Sequence, residues 1–324
     1  YLMKADEEGN FVSDIEVDES FVNPIAQLAF INNTYQFFCM DPVTLQVQLA
    51  QTDANLEAVN IAPVNAALYY PCAAQVDGNS FVLLSYNHLD KQSVLAVLNT
   101  TGAVTQSRAF TIGAGEEVEE PIINHFIRTG RQFPFEAGRI QGGLYYFNGF
   151  YNYTFSLVFT SLNKDEPNGV IQGIQDDGGF SALQPISATK FAAARFNFGD
   201  NYLLPNVTLN PTGISSSVDL AGNTLPELEP NARVKILRAS VNNKNVLVYG
   251  SNTRSKQIGL YFYDEATGTF ITSKYLGFSN PFEIAQVIST EDGGLAVCGT
   301  TYVTGRFPRI CLIKLHPDDL SKVK

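Results

Sequence analysis

Carboxylates are the densest reactive groups in this sequence. Glu116, Glu117, Glu119 and Glu120 stand within a single six-residue stretch that opens at Gly115. Packed this closely they repel one another, and a hard cation such as calcium would relieve the repulsion. No EF-hand spacing or repeated Asp pattern accompanies them, so a solvated loop is the favoured reading. Histidine is scarce, with only His88, His125 and His316, spread far apart. His125 falls where an innermost strand is expected, which would turn it toward a central channel. Cys298 and Cys311 face each other if Thr304-Gly305 form a two-residue turn, a placement that suits either a free pair or a disulfide. Cys39 and Cys72 have no comparable partner. The stretch from Leu144 to Phe155 (LYYFNGFYNYTF) is crowded with rings. Alternation sends about half of them into a core, and Tyr151 and Tyr153 are the members expected at the surface, where they could stack on a sugar. No H-E-x-x-H, G-x-S-x-G or G-x-G-x-x-G motif is present.

Groups so scattered along a chain act together only if a repeated framework gathers them. Such a framework is visible as a recurring unit of an apolar run, a turn, a second apolar run and a polar turn. The first runs are Tyr35–Met40, Phe81–Tyr86, Leu144–Phe147, Phe191–Phe196, Val246–Gly250 and Leu295–Thr300, whose starts lie 46 to 63 residues apart. The second runs are Val43–Leu49, Ser93–Leu98, Tyr153–Leu162, Tyr202–Leu209, Ile258–Tyr263 and Ile310–Leu315. Closing turns such as Asn99-Thr-Thr-Gly102 and Asp264-Glu-Ala-Thr-Gly268 open with a side chain that can bond the backbone and end in a residue that tolerates positive φ. Helical periodicity is nearly absent. The period suits a four-stranded blade, so the expected fold is all-β, a single β-propeller domain over residues 1–324 with about six blades. Blades fall at about 19–60, 61–112, 113–174, 175–228, 229–276 and 277–324, and residues 1–18 are expected to close the last blade with the strand Asn10–Val17. Seven blades is the alternative if 111–180 hides one more. Two stretches exceed the plan, Arg128–Gly143 and Ser215–Asn231; long loops of this kind often carry function.

In such a fold the loops between second and third strands, and those between blades, gather on one face. That face receives His88, Asp90, Glu116, Glu117, Tyr151, Tyr153, Asp200, Arg254 and Arg306, a mixture suited to a polar ligand.

The C-terminal unit, Ser289-Thr-Glu-Asp-Gly-Gly-Leu-Ala-Val-Cys-Gly-Thr-Thr301 followed by Arg309-Ile-Cys-Leu-Ile-Lys-Leu315, resembles the degenerate propeller repeats of exported or lipid-anchored bacterial proteins, particularly of Bacteroidetes. The match covers about one blade, and His316 stands where those repeats usually have Asp. The resemblance implies a propeller and an exported location, whether periplasmic, anchored at the outer membrane or extracellular. It implies no particular reaction.

Composition narrows the partners. The 324 residues carry 21 Lys and Arg against 32 Asp and Glu, a net charge of −11 that repels phosphate backbones and argues against nucleic acid. No apolar stretch approaches the length of a membrane span. Trp is absent, which disfavours the Asp-box of propeller sialidases. Four sequons, at Asn32, Asn99, Asn152 and Asn206, would matter only in a eukaryotic secreted protein. The expected function is therefore a non-catalytic binding or scaffold propeller with a glycan, peptide or protein ligand on the loop face and no resident cofactor. A glycan hydrolase or lyase is the rival, using carboxylates such as Glu116–Glu120, Asp200 and Glu283. A structural module of a surface assembly is the third reading.

Overall fold

The computed structural model describes residues 1–17, 21–64, 68–278, 280–303 and 307–323. Strand dominates helix, 57% against 5%, and the chain is an all-β, six-bladed β-propeller. Blade 1 is built from Ala29–Ile31, Thr34–Met40, Val47–Asp53 and Val59–Pro63, and blade 2 from Pro71–Asp77, Ser80–Asn87, Gln92–Asn99 and Val104–Thr111. Blade 3 takes Glu136–Arg139, Tyr145–Tyr151, Thr154–Thr160 and Gly169–Gln172, with the short Ile214–Ser216 added at its edge. Blade 4 holds Gly178–Pro185, Lys190–Asn197, Asp200–Thr208 and Asn223–Thr224. Blade 5 holds Val234–Val241, Lys244–Asn252, Ile258–Asp264 and Phe270–Leu276, and blade 6 holds Phe282–Ser289, Leu295–Val303 and Phe307–Leu315. Consecutive strands within each blade pair antiparallel, as meander connections require, and Ile214–Ser216 reaches the edge of blade 3 by a crossover from beyond the third strand of blade 4. The apolar runs of the sequence are the second and third strands, although in blade 1 the third strand starts later than the run at Val43.

Two compact units contain these blades: residues 1–176 with 211–215, and residues 177–210 with 216–324. In each, the cores lie between blades. Phe38, Leu49, Phe81 and Leu83 join blades 1 and 2, and Val82, Leu95, Phe147 and Val158 join blades 2 and 3. In the second unit, Ala192, Leu203, Leu247 and Tyr249 join blades 4 and 5, and Val248, Leu260, Val287 and Val297 join blades 5 and 6. Central strands are consequently buried on both faces, which is why they read as unbroken apolar runs rather than as alternation.

Turn chemistry follows the expected rule. Asn99 Oδ1 accepts from the amides of Thr101 at 3.0 Å and Ala103 at 2.9 Å. Asp264 Oδ1 accepts from the Thr267 amide and hydroxyl, both at 2.9 Å.

Three expectations change. Phe11–Ile15 pairs with Leu2–Ala5 in an N-terminal hairpin, and blade 6 has three strands among the described residues. Leu2 packs with Phe37, Cys39 and Ala50 of blade 1, so apolar burial there determines where the hairpin lies. Next, the segment between blades 2 and 3 is helical, with a 3-10 turn over Glu116–Val118 and an α-helix over Glu120–His125. Pro121 stands in its first turn, where a missing amide costs nothing. His125 therefore ends a helix instead of lining a strand. Finally, Cys298 pairs with Leu312 and Cys311 with Gly299, a register one residue away from the expected one. That slip sends the two cysteines to opposite faces of the sheet, and all four thiols are free. The two-residue turn assumed at Thr304-Gly305 lies outside the described residues, as does Arg306. No described helix is long and apolar enough to cross a membrane.

Candidate functional site

In blades 1 to 5 the turn between second and third strands is stitched to the segment leading toward a neighbouring blade. In the first unit, Tyr70 N donates to Leu45 O at 3.1 Å, Ile112 N to Lys91 O at 3.1 Å, and Tyr153 N to Ile112 O at 2.7 Å. Leu45, Lys91 and Tyr153 all have positive φ, at 62°, 56° and 73°. Side chains of this size rarely accept that conformation, so the tertiary hydrogen bonds hold the turns in shape.

These turns assemble one aromatic and ionic cluster. Tyr69 and Tyr70 lead into the first strand of blade 2, Tyr86 lies one residue before the end of its second strand, and His88 follows in the turn. The His88 ring makes T-shaped contacts with Tyr69, centroids 5.1 Å apart, and with Tyr70 at 5.5 Å. Tyr70 also packs on Phe126, just past the helix, at 4.9 Å. Beneath them Tyr86 Oη donates to Glu119 Oε1 at 2.8 Å, and Lys91 pairs with Glu119 Oε2. Burial, and then the Glu119 carboxylate, push the Tyr86 and Tyr70 hydroxyls above their usual range, so both remain protonated donors. His88 Nδ1 is buried without a hydrogen-bond partner. Buried polar atoms are seldom left so, which sets His88 apart from the other polar groups of this cluster.

The remaining candidates distribute around this cluster or apart from it. Asp90 accepts from Asn87 Nδ2 at 2.9 Å and shapes the same turn as His88. Tyr153 is 48% exposed, whereas Tyr151 is half-buried against Phe110. Glu117 is exposed within the 3-10 turn, where Glu116 contributes backbone. In the second unit, Asp200 is exposed beside the blade 4 turn. Arg254 binds the blade 5 turn to its neighbouring segment, its amide donating to Glu227 O at 2.8 Å and its Nε to Leu228 O at 3.1 Å. Glu283 accepts from Tyr302 Oη at 3.4 Å. His125 Nδ1 accepts from Phe133 N at 2.9 Å, a structural role. His316 caps the 3-10 turn Pro317–Leu320. Among the described residues no three His, Cys, Asp or Glu side chains converge as a metal site.

Sequence reasoning placed His88 and Asp90 on this face but missed Tyr69, Tyr70, Tyr86, Lys91 and Phe126. Tyr69-Tyr70 next to a proline was an available signal, since a paired aromatic just before a strand start can pack on the neighbouring turn. A second concavity, of about 440 Å³, lies in the second unit at the opposite ends of the strands, lined by Lys190, Asn206, Lys244, Asn245 and Asp264 among others. Its charges largely satisfy one another: Lys244 meets Asp264 at 3.3 Å.

Solved structures share the fold. A protein from Lactobacillus plantarum aligns with TM-score 0.51 and 10% identity, covering 88% of this chain and 83% of its own. An arginine-substituted mutant of AofleA from Arthrobotrys oligospora aligns with TM-score 0.50 and 10% identity over 91% and 86%. A glucose dehydrogenase aligns with TM-score 0.50 and 10% identity over 91% and 97%. At such identities the likeness is one of fold, and these neighbours differ in what they do. No protein-family model and no curated protein matches the chain.

Proposed function

We propose that this protein is a non-catalytic binding propeller that takes a glycan or peptide on the turn face of its first unit, around Tyr70, His88 and Tyr153. The observation that carries the reading is His88, whose buried Nδ1 has no hydrogen-bond partner and whose ring makes T-shaped contacts with both Tyr69 and Tyr70. Rings with a few fixed polar groups are the usual composition of a recognition site. The carboxylate nearest the cluster, Glu119, is already shared by Tyr86 and Lys91. Elsewhere among the described residues, the carboxyls displaced from their ordinary pKa (Asp6, Asp41, Asp264 and Asp292) are lowered, chiefly by hydrogen bonds of their own turns. A general acid needs displacement the other way. Export from a bacterial cell is part of this proposal and rests on the resemblance carried by Ser289–Leu315.

A thermal-shift screen of oligosaccharides and short peptides tests the reading. A ligand at a hundred times its Kd stabilises by about 2.7 kcal/mol. His88→Ala and Tyr153→Ala should each weaken a hit by roughly tenfold, about 1.4 kcal/mol. A screen without hits, or a hit indifferent to both substitutions, would overturn it.

A further inference from the structure

Blade 6 departs from the pattern of the others. Its third strand, Phe307–Leu315, is nine residues long and ends the sheet with no fourth strand beyond it among the described residues. The equivalent strands Gln92–Asn99, Thr154–Thr160 and Ile258–Asp264 are buried along nearly their whole length. Here Phe307 is 70%, Ile310 59% and Leu312 39% exposed. The register places Ile310 and Leu312 on one face with Ala296, Cys298 and the 53%-exposed Ile288. The other face carries Leu295, Val297 and Leu315 into the core shared with blade 5. An apolar strip thus runs beside an open ladder edge, the combination that proteins ordinarily cover or guard with charge.

Charge indicates what covers it. The strand carries Arg309 and Lys314 and no acid. Lys314 is paired with Asp292 at 3.0 Å, and Arg309 is exposed. Two such edges side by side would bring an exposed Arg309 on each strand together with no acid on either, which disfavours a second copy of the same strand. We propose that Phe307–Leu315 is an augmentation edge that takes an extended acidic segment of another protein as the fourth strand of blade 6. The partner segment has apolar residues at alternate positions, to cover Ile310 and Leu312, and carboxylates between them. Main-chain hydrogen bonds supply affinity and the alternate side chains supply selectivity. This surface is separate from the turn-face site and stands or falls without it.

Hydrogen exchange read by mass spectrometry tests the proposal on the whole chain. The probe is a ten-residue peptide alternating valine and glutamate, with a valine–lysine peptide as control. In the isolated protein, amides of 307–315 should exchange at least tenfold faster than those of 92–99, the equivalent strand of blade 2. The glutamate peptide should slow them about tenfold, and the lysine peptide should not. The double variant Ile310→Lys, Leu312→Lys changes only exposed side chains; it should melt like the wild type and lose the protection. Three results would overturn the proposal. Protection already present in the dilute chain would mean that its own residues cover the edge. Protection that grows with protein concentration would identify a second copy. Indifference to the glutamate peptide would remove the acidic partner.

Discussion

At the scale of single residues, the carboxylates work mainly as turn locks, and Asp292 shows how. Its Oδ1 accepts from Thr290 Oγ1 at 2.5 Å and from the Gly294 amide at 3.0 Å, while Oδ2 meets Lys314. These partners, the Thr290 hydroxyl first, hold its carboxyl well below the usual range. A depressed folded pKa stabilises the fold above the ordinary carboxylate value of about 3.9 and loses that contribution as pH falls through the lowered value. Asp292→Asn should therefore lower Tm at pH 7, and the gap from wild type should close as pH drops below about 3.9. Melting both proteins across that range checks it; a gap that stays constant would assign Asp292 no electrostatic role. Cys39 shows the opposite displacement, since burial pushes its thiol up to about 12, which leaves it unreactive at neutral pH.

At the scale of elements, the Gly-Gly pair in the resemblance-bearing hairpin of blade 6 has two different explanations. Gly293 has φ +80° with open space around it, so conformation alone requires it. Gly294 has no such constraint, but a Cβ there would fall 2.2 Å from the Leu315 carbonyl oxygen. Gly293→Asn should be nearly neutral, because Asn tolerates the left-handed region, whereas Gly294→Ala should cost about 1–3 kcal/mol through forced backbone movement. Chemical denaturation of both variants decides between the two roles, and equal losses would refute the assignment. The contrast also shows what was readable in advance. Strand rhythm and turns such as Asn99–Gly102 were legible because their determinants are local: period, apolar runs and side chains that bond their own backbone. The register of Cys298 against Cys311 was not, because no local pattern fixes the pairing of two strands and a shift of one residue changes which side chains share a face. The six-residue helix at Glu120–His125 was too short to show periodicity, with Pro121 as its single local signal. The Tyr70–His88–Glu119 cluster joins residues from three separate segments, and no spacing rule reaches across them.

At the scale of the whole molecule, charge is divided unevenly. Of the 32 acidic residues, 20 belong to the first unit and 12 to the second; of the 21 basic residues, 7 and 14 do. The first unit thus carries a net −13 and the second +2, which together give the chain's −11. Like charge in excess strains a compact state, and salt relieves that strain once the screening length falls to about 10 Å at 0.1 M. Stability that depends on salt should therefore reside in blades 1–3. Raising sodium chloride from about 0.01 M to about 0.15 M shortens the screening length from about 30 Å to about 8 Å, which is within the span of a single blade. Over that range, slow-exchanging amides of Ser80–Asn87 and Tyr145–Tyr151 should gain protection. Those of Lys244–Asn252 and Leu295–Val303 should change little, because acids and bases nearly balance around them. Equal gains in both sets would mean that the acidic excess of the first unit is already neutralised locally, by pairs such as Lys91–Glu119 and Arg131–Asp176, and that the uneven charge serves long-range attraction of ligands rather than limiting stability.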